Sequence, residues 1–287
     1  MSILTEIARI TEKVADAYDA CEDKGATIPQ SKTVANLADC IATITGGGSG
    51  LPVFTYTGTY AIYDEGNDNW HIVFITSGTL NFSSLGTGAS GVQLFLVGGG
   101  GGGGGGSGYS TYWGWAGGNG GCRYNSGMFY LQTGVDYSIV IGAGGAQNTN
   151  GGSTSGFGYT VDGGLTKAGT PTLPVGVSCS IGGASAYNGA GSNGAAGAYP
   201  FGVSGLDGCN YKCGASGAGG SGYSGKGAFY TDATGGADGG GNGGGTSNKS
   251  GRSGTVYGAG GGGAAGNSSS YTGGSGHAGV IVLRNYR

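Results

Sequence analysis

The sequence predicts a mainly β and irregular fold: a small β scaffold with an inserted lattice of extended glycine helices, preceded by a short α-helical head of coiled-coil type. Glycine supplies 75 of the 287 positions, several times its ordinary share of about 7%. One glycine falls in residues 1–45, ten in 46–97 and 64 in 98–287. The first 45 residues hold four basic and seven acidic groups. We therefore expect a helical head over 1–46, a β-rich module over 47–97 and a glycine-rich region over 98–287.

Charge and hydropathy argue against several classes of function. The net charge is −3, so we expect no nucleic-acid partner, which would require a basic surface. No apolar run approaches 18 residues, and we expect no membrane insertion. Residues 1–6 lack the pattern of a secretory signal, which predicts synthesis in a cytosol. The chain has two histidines, His71 and His277, which leaves little material for acid–base chemistry near neutral pH, and we expect no enzymatic activity.

The head carries a heptad pattern of apolar residues, which predicts a helix ending near Gly25. Its stripe has the spacing of a coiled-coil seam and runs through Ile3, Ile7, Ile10, Val14, Ala17 and Cys21. A second helix is predicted from about Thr33, with Leu37 and Ile41 on one face. Helices this short are marginal alone in water. They can fold back on the β module, or they can self-associate or dock on a larger assembly, which the glycine tract after the head favours. A trimer is our preferred assembly, and its predicted contact residues are Ile3, Ile7, Ile10, Val14, Leu37 and Ile41.

Residues 53–97 have the pattern of strands separated by turns. The predicted strands are 53–63, 70–76, 79–85 and 92–97, with a turn over 64–69. Two further β-branched segments, 137–141 and 280–283, lie far downstream between glycines. We expect both to return to the same sheet system, so that the glycine-rich region is an insertion between strands. A rigid frame of this kind can display loops.

The glycine-rich region is too poor in large apolar residues for an ordinary core. Residues 98–287 contain 22 Leu, Ile, Val and Phe, about 12% of the region. A lattice of extended left-handed helices with three residues per turn would instead stabilise it through hydrogen bonds between helices. Collagen is excluded, because the Gly-X-Y register is not sustained and the chain has 5 prolines. A flexible Gly/Ser linker is the alternative, but linkers lack aromatic interruptions.

Aromatic residues interrupt the glycine tracts together with Ser, Thr and Asn. Antibody paratopes use a similar set of side chains, since Tyr and Trp give rigid amphipathic contact area and Ser and Asn give adaptable hydrogen bonds. We therefore predict a binding surface. The alternative is that these aromatics cap the lattice and face inward. The candidate residues are Tyr109, Tyr112, Trp113, Trp115, Tyr187, Tyr199, Phe201, Tyr211, Phe229, Tyr230 and Tyr271.

Other chemistry finds little support in the sequence, and we expect no cofactor and no metal site. Matches to G-x-G-x-x-G carry no information in this composition, and Lys226 is not followed by the Ser or Thr of a phosphate loop. The chain has no C-x-x-C pair, although Cys209 and Cys213 are four apart. Whether the six cysteines oxidise after release from a reducing cytosol is left open. The acidic cluster over 64–68 reads as a turn and not as a pair of catalytic carboxylates.

The order of these motifs resembles the glycine-rich domain of tail fibre proteins of tailed bacteriophages. The resemblance rests on Phe95-Leu96-Val97 before the 98–106 tract, on 137–145, and on the closing 276–284, which reads GHAGVIVLR. Residues 54–60 and 70–79 are similar to the leader of that domain. The head, especially 25–29 with Leu37 and Ile41, is similar to short helical modules of phage and prophage tail proteins.

The resemblance implies a receptor-binding adhesin at the tail tip, located in the virion. In the distal adhesins of T-even-like phages, polyglycine II helices form a sandwich whose tip loops contact the receptor. The implied partners are a bacterial cell-surface receptor, either a glycan or an outer surface protein, and other tail proteins. The heptad head departs from the attachment domain of those adhesins, which leaves open a monomer that caps another fibre or a trimer. A structural polyglycine protein, such as a tail or filament component or an ice-binding bundle, is the alternative.

Overall fold

A computed structural model describes residues 3–23, 28–42, 50–86, 91–105, 114–166, 169–186, 190–219, 223–224, 228–229, 233–235, 239–245, 249–265 and 271–285. These residues form a mainly β protein with two helices, as the sequence predicts. The helices are α1 (Ile3–Asp23) and α2 (Val34–Ala42). The strands are β1 (Val53–Tyr56), β2 (Tyr60–Gly66), β3 (Asn69–Phe74), β4 (Gly78–Ser84), β5 (Val92–Val97), β6 (Arg123–Asn125), β7 (Asp136–Ile139), β8 (Thr154–Gly156), β9 (Tyr159–Val161), β10 (Tyr223–Ser224), β11 (Ala228–Phe229) and β12 (Val280–Asn285).

Two antiparallel sheets form the scaffold. The larger has the strand order β2-β3-β12-β5-β6, and the smaller has the order β1-β4-β7. Strand β12 pairs with both β3 and β5, and β7 pairs with β4. The predicted return of the two downstream segments to the sheet system is therefore confirmed. Most of the glycine-rich region is inserted between β5 and β12, which are neighbours in the larger sheet.

The predicted strand over 53–63 is divided between the two sheets. Strand β1 pairs with β4 in the smaller sheet, whereas β2 pairs with β3 in the larger one. The turn after β2 is also tighter than predicted. Asn67 and Asp68 have φ values of 52° and 61°, which suit the two central positions of a type I′ hairpin turn.

Successive side chains of a strand point to opposite faces of its sheet. In the larger sheet, both of these faces are buried. On one face, Ile72, Leu94 and Ile281 belong to a core shared with the smaller sheet. On the other face, Val73 and Phe95 pack in a second cluster with Leu206, Cys209 and Cys213. Burial of both faces explains why β5 and β12 read as continuous apolar runs.

Residues 98–104 form the central segment of the glycine lattice. Every third backbone N–H of this segment donates to the same neighbour, at N···O distances of 2.8–2.9 Å. These bonds run from 98, 101 and 104 to segment 114–122, from 99 and 102 to 149–152, and from 100 and 103 to 274–279. Its carbonyl groups accept from segments 142–148, 162–166 and 258–265. The period is that of an extended helix with three residues per turn, and six neighbours surround the segment.

Glycine is required in the lattice because the segments approach too closely for a side chain. A methyl group on Gly118 would overlap the carbonyl oxygen of Gly101, and one on Gly103 would overlap that of Gly262. These overlaps are with backbone atoms, which cannot rotate away as a side chain can. The interior of this region is therefore held by backbone hydrogen bonds in place of apolar side chains.

The helical head has a small core of its own. Tyr18 is fully buried between α1 and α2, and its hydroxyl donates to the carbonyl of Thr33 at 2.8 Å. Cys21 and Cys40 are also buried there, and the partly buried side chains beside them are Val14, Ile28 and Leu37. The two predicted helices are confirmed. Neither is long and apolar enough to cross a membrane, and the same holds of every helix in the described ranges.

The predicted apolar stripe is covered over only part of its length. Ile7 is 55% exposed, Ile10 is 47% exposed, and Ile41 on α2 is 51% exposed. Ile3 belongs to α1, but its side chain lies outside the described residues. The stripe therefore divides into a half buried by α2 and a half open to solvent.

Candidate functional site

The lattice has two different ends. Strand β5 enters it at Gly98 and β12 follows Gly279, so this end adjoins the larger sheet and is called the proximal end. The N–H of Gly104 donates to Ala116 and its carbonyl accepts from Ala264, both at 2.9 Å. Gly104 lies six residues from Gly98, or about 19 Å at a rise of about 3.1 Å per residue. The lattice at and beyond Gly104 is called the distal end.

Residues at the distal end border several segments that lie outside the described ranges. The N–H of Gly114 donates to the carbonyl of Ala186, and that of Ala265 to the carbonyl of Lys249, each at 2.8 Å. Because both pairs continue the register beyond Gly104, their chains leave the lattice on the side opposite the sheet. The segments that follow or precede these distal residues lie outside the described ranges: 106–113, 187–189, 246–248 and 266–270.

Two predicted binding residues are described at the distal end. Trp115 is half-buried, and its indole lies over Gly104, where a methyl group would come within 3.0 Å of the ring. Tyr271 is half-buried next to Thr272, whose carbonyl accepts from Gly251 at 2.8 Å. Both side chains combine a packed part with a solvent-exposed part, as in aromatic residues that contact ligands.

Five predicted binding residues lie outside the described residues, and a sixth is described only in its backbone. Phe229 belongs to β11, where it pairs with Tyr223 of β10. Gly219, the last described residue before this hairpin, donates its N–H to the carbonyl of Ser192 at 3.0 Å. The five that lie outside the described residues are Tyr109, Tyr112, Trp113, Tyr187 and Tyr230.

Three predicted binding residues lie at the proximal end instead. The Phe201 ring packs on Phe95 with centroids 6.0 Å apart, and the Arg284 guanidinium lies 3.9 Å from its centroid. Tyr211 lies beside Tyr257 with centroids 5.9 Å apart. Burial raises the pKa of the Tyr211 hydroxyl above its ordinary value. These rings pack against the face of the larger sheet that carries Val73 and Phe95. This position is the one that the inward-facing alternative predicts.

Tyr199 is the third of these proximal residues. It directly precedes the short 3₁₀ helix Pro200–Gly202, and the Lys212 ammonium lies 5.7 Å from the centre of its ring. The backbone pairing of Ala198 with Cys213 holds both ends of the 198–213 loop at the sheet. The structure thus separates Tyr199, Phe201 and Tyr211 from the distal pair Trp115 and Tyr271.

A polar turn at the distal end has no aromatic residue and escaped the sequence prediction. Asn148 donates from Nδ2 to the carbonyl of Gly105 at 2.9 Å and accepts from the Gly105 N–H at 3.2 Å. Asn148 has a φ of 61°, a left-handed conformation that Asn tolerates better than most residues. Its neighbours Thr149 and Asn150 are exposed. The run of polar residues over 147–150 between two glycine tracts is the signal that could have identified this turn.

Buried polar side chains fix the lattice that carries these loops. Asn119 is fully buried and its side chain links two backbone segments, because Nδ2 donates to the carbonyl of Gly169 at 2.6 Å and Oδ1 accepts from the N–H of Gly182 at 2.9 Å. At the proximal end, Arg123 donates from Nη1 to the carbonyl of Cys213 at 3.1 Å. Burial lowers the pKa of the Arg123 guanidinium. These side-chain hydrogen bonds add to the backbone bonds that hold the lattice segments together.

The ionisable residues do not form a metal centre in the part of the chain that the structure describes, where no three His, Cys, Asp or Glu side chains cluster. His71 is buried and contacts the Glu65 carboxylate through Nδ1 at 2.5 Å and the Asp207 carbonyl through Nε2 at 2.8 Å. This arrangement ties the 203–207 loop to β3. Asp64 and Glu65 therefore lie in strand β2 and not in the predicted turn, and Glu65 contacts His71.

The fold defines a glycine-rich protein of mainly β class, in which a lattice of glycine segments is inserted between two strands of the larger sheet. Comparison with family profiles agrees: a profile described as glycine-rich domain matches residues 75–286. The match covers most of the chain, which therefore belongs to this family of glycine-rich domains. No curated protein matches the sequence.

Proposed function

We propose that this protein is a tail-tip or tail-fibre protein of a phage or prophage that binds a bacterial surface receptor through the distal end of its glycine lattice. On this proposal it is made in the host cytoplasm, is assembled into the virion and acts by binding and not by catalysis. The order of motifs shared with tail fibre proteins supports the phage assignment, and membership of the glycine-rich family is consistent with it.

One observation carries the binding proposal: the described residues that border four segments of the chain lie together at the distal end of the lattice. By sequence, those segments contain Tyr109, Tyr112, Trp113 and Tyr187, and no charged residue falls in 106–113, 187–189, 246–248 or 266–270. Neutral aromatic and polar side chains on a rigid support bind with little loss of side-chain freedom. We assign Tyr109, Tyr112, Trp113, Trp115, Tyr187, Phe229, Tyr230 and Tyr271 to this surface.

The head is proposed to join the protein to its own copies or to other tail proteins. The exposed half of the α1 stripe, with Ile7 and Ile10, supports this role together with Ile41 of α2. A stripe with heptad spacing that remains exposed in the single chain is suited to burial between helices. We favour a homotrimer, with docking on another tail protein as the alternative.

Binding of the fluorescently labelled full chain to a panel of bacterial strains tests the proposed function. We expect binding to a few strains and none to the others, because receptor recognition is specific. Equal binding to every strain would indicate general adhesion. Absence of binding from a panel that includes the source host would favour the alternative, a structural tail or filament component.

A further inference from the structure

We infer that Cys21–Cys40 and Cys209–Cys213 are two disulfide-forming dithiols, which close when the protein meets a low-molecular-weight disulfide in an oxidising environment. Together with the existing Cys122–Cys179 disulfide, they would pair all six cysteines of the chain. The inference does not rest on the proposed receptor-binding function. It concerns which covalent links hold the molecule together outside a reducing cytosol.

The thiols of Cys209 and Cys213 are already in contact. Their sulfur atoms lie 3.3 Å apart, and both residues are fully buried. A disulfide bond is about 2.05 Å long, so the sulfurs need to approach by only about 1.3 Å. The pair lies in the second core cluster with Phe95, so its closure would link two residues of the 198–213 loop where that loop packs on the sheet.

Cys21 and Cys40 lie together in the core of the head. Cys21 is on α1 and Cys40 is on α2, and both are buried in the same cluster of side chains. They share the small core around Tyr18. A bond between them would link the two helices of a unit whose apolar core is small. The three cysteine pairs thus fall in three separate parts of the chain.

Each closure is a two-electron oxidation by thiol–disulfide exchange. One cysteine loses its S–H proton and its thiolate attacks the small disulfide, forming a mixed disulfide and releasing one small thiolate. The second cysteine, as a thiolate, then attacks the mixed disulfide, which forms the protein S–S bond and releases a second small thiolate. The two thiolates take up the two protons. Two protein thiols are oxidised, and the small disulfide is reduced to two thiols.

Both closures are expected to proceed faster at alkaline pH. The hydrogen bond with Cys209 and burial raise the pKa of the Cys213 thiol. Burial and the neighbouring Cys21 raise the pKa of the Cys40 thiol. Since the thiolate is the attacking species, both pairs react slowly at neutral pH. Rates should therefore increase as the pH rises toward the raised pKa values.

Peptide mapping of the full chain tests the inference. The protein, with Cys122 and Cys179 bonded, is incubated with oxidised glutathione at pH 8.5. It is then denatured in the presence of N-ethylmaleimide, which labels free thiols, and is digested and analysed by mass spectrometry. We expect the number of labelled cysteines to fall from four to none, with cross-linked peptides for 21–40 and 209–213. Labelled cysteines, glutathione adducts or other cross-links at either pair would overturn the inference for that pair.

A matched variant tests whether two cysteines pair because they are neighbours or because every free cysteine is reactive. In Cys213→Ser, Cys209 has no partner, so it should remain labelled or carry glutathione while Cys21 and Cys40 still close. A cross-link from Cys209 to either head cysteine in this variant would contradict the assignment of separate pairs. Cys40→Ser provides the reverse control, in which the 209–213 pair should close at its usual rate.

Discussion

Replacing Gly118 by alanine is the sharpest test of the glycine lattice. Three hydrogen bonds join segment 114–122 to the central segment, and the middle one runs from the Gly101 N–H to the Asn119 carbonyl at 2.9 Å. The methyl group of Gly118→Ala would overlap the Gly101 carbonyl oxygen. The two segments must then separate, which breaks the middle bond at the centre of the lattice.

The cost follows from the two buried groups that lose their partners. A buried unpaired N–H or C=O costs about 1–3 kcal/mol, so the Gly118→Ala variant should lose about 4 kcal/mol of unfolding free energy. For a domain of about 200 residues, each kcal/mol lowers Tm by about 2–4 °C. We therefore expect Tm to fall by about 8–16 °C in a calorimetric or circular dichroism melt.

Gly127→Ala is the matched control for the same chemical change. No atom lies within 4 Å of the position that its methyl group would occupy, and alanine there restricts the unfolded chain. We expect this control to be neutral or stabilising by up to about 1 kcal/mol. If the two variants melt within about 2 °C of each other, close packing of glycine segments does not stabilise this region.

Three further predictions concern other parts of the molecule. Asn119→Leu should lower Tm by about 4–24 °C, because the buried Gly182 N–H and the half-buried Gly169 carbonyl lose their partners at about 1–3 kcal/mol each; an unchanged Tm would contradict its role. Burial raises the pKa of the Tyr56 hydroxyl from 10.0 to about 12. The contribution of neutral, buried Tyr56 to the free energy of unfolding is complete below pH 10 and should be lost as the pH rises through 12. Absorbance at 295 nm should show this late ionisation, and Tyr56→Phe should remove it. Ile7→Glu with Ile10→Glu should convert the proposed oligomer to a monomer in analytical ultracentrifugation, whereas an unchanged mass would argue against contact through this stripe.

The sheet system could be predicted from sequence because its strands are apolar and bounded by glycine. Strand β12 illustrates this: five of its six residues are buried, and its return to the sheet system could be expected from the sequence pattern, although its pairing with β5 could not. The short strands β6, β8 and β9 could not be predicted. They are three residues long. Contacts with neighbouring segments hold them in place, and their own composition does not indicate a strand.

The candidate site was predictable in its composition and less so in its position. Aromatic interruptions between glycine tracts look alike in sequence, yet Trp115 lies at the distal end and Phe201 packs on the sheet at the proximal end. The direction of each lattice segment decides between these ends, and that direction is set by hydrogen bonds between residues far apart in sequence. Phe201 also needs Phe95 and Arg284, contacts that no local pattern indicates.

Cell binding by a loop variant tests the proposed role of the distal end most directly. The variant carries Tyr112→Ala, Trp113→Ala and Trp115→Ala, and the control is Tyr130→Ala, whose side chain is 75% exposed beside Phe129, itself paired with Val92 of the sheet. On the strains that bind the unaltered chain, we predict that the triple variant loses binding while it stays folded, with a Tm lowered only by the lost packing of Trp115 on Gly104, and that the control binds normally. Full binding by a folded triple variant would contradict recognition through these residues, and loss of binding by the control would place the receptor contact at the sheet.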